Sequence, residues 1–505
     1  MPSDSLAKML VSMVLDSDTE FITDQHQNTC CVVENGFIAY QIKSKFVKRY
    51  LSQMFWNNTG KVLRADSLNT AITTLEGIAL SSQEDQQIYN RIAKVDDEIF
   101  YDIGDNKNII KITKDGWEIT QSSPVLFRRF AHQKKQVLPE NGGDLSDLDE
   151  FINVRGEDQD LLLKTYLPTT FFEDIARPIL LLHGSQGSGK STTLARIRDL
   201  IDPSCIPLLA PQNKEEELIR QADHNYCFFV DNVSHLNWQT SDALCRFVTG
   251  SAFSKRALYT NDDDILYFFK RVVGMNGIDQ VATRADLLDR SLIIELERIN
   301  SSQRKRDSEL NKAFALKKPK IFGALLDTVS AVLAFKDEVE ISELPRLADY
   351  YHCAVTASIY FGHDQEHFQN VFLSNIKKQH ETAFEASTVA QCILVFMEDK
   401  KEWKSSPSEL YDKLNQLAIN LSLTKGFPDG SNWLWKYIAR DEQTLRAYKI
   451  LVYKDKENGS RVIGIENLAF KQEDGIDSKT QENITSLKAY TDAKLISSNQ
   501  VKFIA

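Results

Sequence analysis

PILLLHGSQGSGKSTTLARIRDLI, residues 178–201, joins a short apolar run, a glycine-rich loop and a helical pattern without interruption. Ile179 to Leu182 is the kind of run shown by a parallel strand buried on both faces. Gly184-Ser185-Gln186-Gly187-Ser188-Gly189-Lys190-Ser191 then fits G-x-x-x-x-G-K followed by Ser or Thr. In such a loop the glycines let backbone N–H groups curl around a β-phosphate. Lys190 brings a charge to the β- and γ-oxygens, and Ser191 offers its hydroxyl to Mg²⁺. The helix that begins at Ser191 and Thr192 turns its positive dipole end toward the same anion. The stretch therefore reads as a nucleotide site.

Composition bounds the remainder. The chain has 505 residues, 42% hydrophobic and 26% charged, enough for about three domains with cores of their own. No apolar run approaches the ~20 residues of a membrane helix, and the acids within residues 1–19 do not suit a signal peptide, so no membrane partner and a cytoplasmic location are expected. Seven cysteines without C-x-x-C or Cys/His spacing point to buried thiols rather than disulfides or zinc. A net charge of −11 confines any nucleic-acid surface to a local patch or channel.

Upstream, Phe21 to Ile42 alternates like short strands. Lys43 to Gly60 reads as an amphipathic helix with Phe46, Tyr50, Leu51, Met54 and Phe55 on its apolar face and Lys43, Lys45, Lys48 and Arg49 in a basic cluster. A helix at Leu68 to Ala79 and strands at Ile88 to Val95, Glu98 to Asp102, Asn108 to Thr113 and Trp117 to Thr120 complete an α+β accessory domain, residues 1–133. Pro139, Gly142 and Gly143 mark a linker, 134–150. Leu148 to Leu167 is helical in pattern up to Pro168.

Downstream, Tyr226-Cys227-Phe228-Phe229-Val230-Asp231 reads as a second buried strand with Asp231 as the metal partner. Asn232 follows where a glutamate base often stands, and Asn orients water but cannot take its proton. Asp223 or another nearby acid is then the expected base. Arg271 to Met275 forms a third strand, expected between the first two, with Asn276 at its tip to sense the γ-phosphate. Arg284 and Arg290 bracket a short helix before a fourth strand at Leu292 to Leu296. Salt bridges to Asp286 or Asp289 are the plainer role for these arginines.

The order of phosphate loop, FFVDN, GSAFSKRALYTNDDD, VVGMNG and ATRADLLDRS resembles the superfamily 3 type of AAA+ helicases, most closely the primase-helicase-like ATPases of prophages and plasmids. The resemblance implies an AAA+ P-loop core, a parallel sheet with helices on both faces, over residues 151–300, and a helical lid over 301–385. It implies a ring, expected to be a hexamer, in which Arg290, or Arg284 in reserve, stabilises the transition state at a neighbour's nucleotide. LLDRS also resembles the finger motif of minichromosome maintenance helicases. The segment between acid and asparagine would supply a pore hairpin with Lys255 and Arg256 on the strand.

Residues 386–468 read as a winged helix: three helices, then two strands joined by Asn458-Gly459. Lys436 and Arg440 on the third helix and Arg461 on the wing would face a duplex. Residues 469–505 read as a tail. The whole is expected to be an ATP- and Mg²⁺-dependent motor acting on single-stranded or forked DNA, with a primase or other replication protein as a further partner. An ATPase switch that does not unwind DNA is the alternative.

Overall fold

The computed structural model describes residues 3–33, 36–81, 85–234, 236–256, 264–277, 285–300, 304–457 and 460–471. Two compact units divide the chain. One comprises Met1–Asp279 with Ile294–Phe372, and the other Gln280–Ile293 with Leu373–Ala505.

The first unit holds the strands on which the site is built: β1 (Ile179–His183), β2 (Cys227–Val230), β3 (Ser251–Arg256), β4 (Asp264–Phe269) and β5 (Val272–Asn276). The chain passes from one unit to the other along β6 (Ser291–Glu295). The sheet order is β2-β5-β1-β6, and β5 runs parallel to both β1 and β2. Leu209 extends the sheet beyond β2 through a parallel bridge to Val230. Strands β1, β2 and β5 are short, built mostly of aliphatic and aromatic residues, and buried almost residue after residue, as strands inside a parallel sheet are. One of these is α1 (Lys190–Ile201), which buries Thr193, Leu194, Ile197, Leu200 and Ile201. Gly274 of β5 is what lets α1 approach: a Cβ there would stand 2.9 Å from a Phe229 ring carbon and 3.0 Å from Leu194 Cδ1.

Upstream, the first unit carries the sheet Ala39–Gln41, Thr29–Val32, Glu20–Asp24, Asp85–Gln86 and a four-stranded antiparallel meander, Ile92–Val95 to Gly116–Thr120. The expected strand at Ile88 to Val95 is two pieces. Arg91 breaks it with φ at +70°, turning its fully buried guanidinium to Asp202 at 3.0 Å and to the carbonyls of Asp102 and Lys134. The amphipathic helix spans Lys45–Thr59, with Ser44 as N-cap accepting from Val47 N–H and Gly60 closing it in the left-handed conformation. Its core face is Val47, Leu51 and Phe55, whereas Phe46 remains outside, stacked on Tyr40 at 3.9 Å. A helix at Ser3–Leu15, absent from the sequence reading, packs on Ala65–Ser81.

The segment with Pro139, Gly142 and Gly143 lies against the long helix Asp307–Phe335. Glu140 N–H donates to the Pro319 carbonyl at 3.0 Å, and side chains on Gly143 or Gly323 would collide with the facing backbone. The helix expected from Leu148 is a 3-10 turn at Leu145–Glu150 followed by a helix at Glu157–Thr169, with Pro168 in its last turn, where only one ladder bond is lost.

The second unit contains the helices Thr388–Phe396, Pro407–Asn420, Ser431–Arg440 and Glu442–Ala447 and an antiparallel sheet of Glu402–Ser405, Ser460–Asn467 and Ile450–Glu457 in that order. The sequence pattern merges the last two helices into one. Buried Asp441 separates them, accepting from Ser387 Oγ at 2.5 Å and pairing with Arg440 at 3.0 Å. The strand Glu402–Ser405 is a further addition to the expected hairpin. No described helix is long and apolar enough to cross a membrane. All seven cysteines are free, and six are buried, Cys205 being the exposed one.

Candidate functional site

The loop after β1 bends where side chains are excluded. Gly189 takes φ +79° as the residue preceding α1, and a Cβ on Gly184 would collide with the carbonyl of Leu296. No side chain caps the first turn of α1, so its leading N–H groups stay turned to the loop. Lys190 is almost fully buried, and its Nζ donates to the Gly184 carbonyl at 2.5 Å and the Ser185 carbonyl at 3.0 Å. Burial pulls its pKa down, and nearby Asp231 pulls the other way. Ser188 Oγ is buried without a hydrogen-bond partner. Ser185, Gln186, Gly187, Ser191 and Thr192 are exposed around these atoms.

The strand order brings the other expected residues to the same edge. Because β5 separates β1 from β2, Asn276 ends between the loop and Asp231. Ser191 Oγ donates to Asp231 Oδ1 at 2.7 Å, and Asn276 Nδ2 reaches Ser191 Oγ at 3.5 Å. Asn276 Oδ1 accepts from the N–H of Asn232 at 2.7 Å, holding Asn232 at φ +54°, and the Asn276 carbonyl accepts from Val233 at 2.9 Å. Two hard oxygens 2.7 Å apart, one hydroxyl and one carboxylate, suit a divalent cation of the Mg²⁺ kind, with waters or phosphate oxygens completing its shell. The unpartnered Ser188 hydroxyl and the Lys190 ammonium suit a polyanion. Among the described residues no cluster of three or more His, Cys, Asp or Glu forms a metal site.

Asp223 is not at this edge. It precedes β2 whereas Asp231 follows it, so the strand's length separates the two. It is buried and bonded to Arg128, with Arg271 at 4.0 Å. A carboxylate so placed and paired cannot act as base beside the loop.

Sequence reasoning missed Asn153. This buried residue donates through Nδ2 to the Ser188 carbonyl at 2.8 Å and to the Glu297 carbonyl at 2.6 Å, and its N–H donates to Thr193 Oγ1 at 3.3 Å. It thus ties the glycine-rich loop, α1 and the segment after β6. A lone Asn in FINVRG carries no periodic or motif signal.

Arg290 belongs to the second unit, where it bonds to the carbonyl of Asp286 at 2.9 Å and to its carboxylate. Arg284 lies outside the described residues. Lys255 and Arg256 lie on β3, opposite Ile265 and Asp264 of β4 in an antiparallel hairpin. In the second unit Lys436 is exposed with its ammonium 5.4 Å from the Trp433 ring centre, Arg440 is shared between Tyr437 and Asp441, and Arg461 stands opposite Lys456 on the hairpin.

The sheet, the loop and the Ser191–Asp231–Asn276 edge define an α/β protein with a glycine-rich loop at the end of its central parallel strand. The particular likeness comes from family models. Residues 146–362 match the actinomycete integrative conjugative element replication protein, and residues 389–480 match the C-terminal domain of the AICE RepA protein. The chain is thus similar to a mobile-element replication protein over both segments. No curated protein matches. Among solved structures, the apo NrS-1 C-terminal region is similar at 11% identity, covering 92% of this chain and 99% of that one, with a TM-score of 0.40. Its A form is similar at 10% identity, with 92% and 99% covered and a TM-score of 0.41. Likeness at that level carries no argument about activity.

Proposed function

We propose that the chain is an ATP-driven nucleic-acid motor, a ring-forming DNA helicase with an AAA+ core and a winged helix, acting in replication of a mobile element. The observation that carries this reading is the convergence of Lys190, Ser191, Asp231 and Asn276 on one sheet edge. Lys190 and the loop N–H groups hold the nucleotide's phosphates, Ser191 and Asp231 hold Mg²⁺, and Asn276 fixes Asn232 beside them. Mg²⁺, when bound, neutralises phosphate charge. Replication of a mobile element is the role attached to the family matches. The β3–β4 hairpin offers Lys255 and Arg256 to a single strand, and Lys436, Arg440 and Arg461 offer a duplex contact.

The test is the salt dependence of single-strand binding, together with ATP turnover in the presence and absence of single-stranded DNA. Stimulation by the strand and a shallower salt slope in Lys255→Ala/Arg256→Ala are expected, since fewer counterions are released. Asn232 favours a second reading, an ATPase switch that changes assembly without unwinding. Turnover indifferent to DNA is its signature.

A further inference from the structure

Beside the phosphate loop lies a cavity of about 490 Å³ lined by Ser185, Gln186, Gly187, Arg298 and Arg304. All five residues belong to the first unit. Backbone ties sew the segment after β6 along the loop. Leu296 N–H donates to the His183 carbonyl at 2.8 Å, Asn153 holds the Glu297 carbonyl at 2.6 Å, and Ile299 N–H donates to the Gly187 carbonyl at 3.3 Å. Arg298, between these anchors, is carried to the mouth of the loop. Arg304 returns to the same place, its Nη2 only 3.1 Å from where a Cβ on Gly187 would stand.

Several other arginines of this unit have carboxylate partners: Arg91 has Asp202, Arg128 and Arg271 have Asp223, and Arg129 has Asp102. Arg298 and Arg304 are exposed and have neither an ion pair nor a hydrogen-bond partner among the described residues. Two cations sharing one cavity beside a loop whose open groups are N–H donors repel each other, and an anion between them removes that repulsion. A guanidinium fork matches phosphate oxygens bidentately.

We propose that Arg298 and Arg304 clamp the phosphate tail of a nucleoside triphosphate bound at the loop of their own chain. The inference rests on the nucleotide reading of that loop. The clamp favours the triphosphate over the diphosphate, because the last phosphate adds charge for the guanidiniums to meet. It acts in cis, whereas the role given to Arg290 is in trans.

The test is equilibrium binding of fluorescent ATP and ADP analogues with Mg²⁺ to the full chain, to Arg298→Ala/Arg304→Ala and to Lys190→Ala. Both arginines are exposed, so their removal should leave Tm unchanged. The expected result is ATP-analogue affinity down about tenfold or more in the double variant, as for lost charge-assisted hydrogen bonds. The preference for the ATP analogue over the ADP analogue should also narrow. Unchanged binding in the double variant, or equal weakening of both nucleotides, while Lys190→Ala binds poorly, overturns the clamp and leaves the loop's reading standing. Wild-type binding by Lys190→Ala overturns the nucleotide reading of the loop, and the clamp with it.

Discussion

At the scale of single residues, Asn153 is where the loop is held. Its amide satisfies two carbonyls, on Ser188 and Glu297, that have different neighbours in sequence and one position in space. Truncation leaves both short of a donor, the Ser188 carbonyl in a buried setting and the Glu297 carbonyl in a partly buried one, at a cost of about 1–3 kcal/mol. Asn153→Ala should therefore lower Tm and weaken ATP binding together, as read by thermal melts with and without nucleotide; a melt unchanged in both conditions would remove Asn153 from the site. A second residue contributes to acid sensitivity. Burial, with help from Arg198, pushes His132 down from 6.5 to about 4, and its Nε2 is buried without a partner. The folded state keeps this ring neutral, so the unfolded chain binds the extra proton first. The stability it contributes is whole above pH 6.5 and is lost as pH falls through about 4. Denaturant melts from pH 7 to pH 4 should show this decline, and His132→Phe should make it shallower.

Among elements, the contact that aligns the loop with its acid is α1 against β5. Gly274→Ala sets a methyl against Phe229 and Leu194 in a closed layer, at an expected cost of about 1–3 kcal/mol. Urea unfolding should show a lower midpoint with the slope unchanged, and a wild-type midpoint would mean that the layer gives way freely. This layer was legible in the sequence, because runs such as CFFV and the G-x-x-x-x-G-K-S loop declare their strand and turn by local pattern alone. The position of β5 between β1 and β2 was expected from Asn276 and is seen in the ladders. What was not legible depends on partners distant in sequence. The break of the third C-terminal helix comes from Asp441 turning to Ser387, and Phe46 stacks on Tyr40 instead of joining the helix's core face. Helical periodicity registers neither. Asp223 misled for the same reason, since sequence proximity to Asp231 hides that β2 lies between them.

At the scale of the whole molecule, the proposed ring motor needs one chain's site to be completed by another. Within its own chain Arg290 bonds to Asp286, so a finger role requires that pair to open toward a neighbour. Arg290→Ala and Lys190→Ala should each be inactive alone. Mixed, they should regain ATP turnover at interfaces where an intact Lys190 site meets an intact Arg290, because an arginine finger in trans is worth ~10³ or more in rate. Exchange of subunits without recovered turnover would make Asp286 the whole of Arg290's role.

Strand displacement tests whether the loop at residues 184–191 drives a motor. A forked DNA duplex is incubated with the chain, Mg²⁺ and ATP, and release of one strand is followed over time for wild type and Lys190→Ala. A motor driven from this loop gives ATP-dependent release by the wild type and none by the variant, with both proteins equally folded. A wild-type chain that hydrolyses ATP yet leaves the fork paired, or displacement that survives Lys190→Ala, would contradict it.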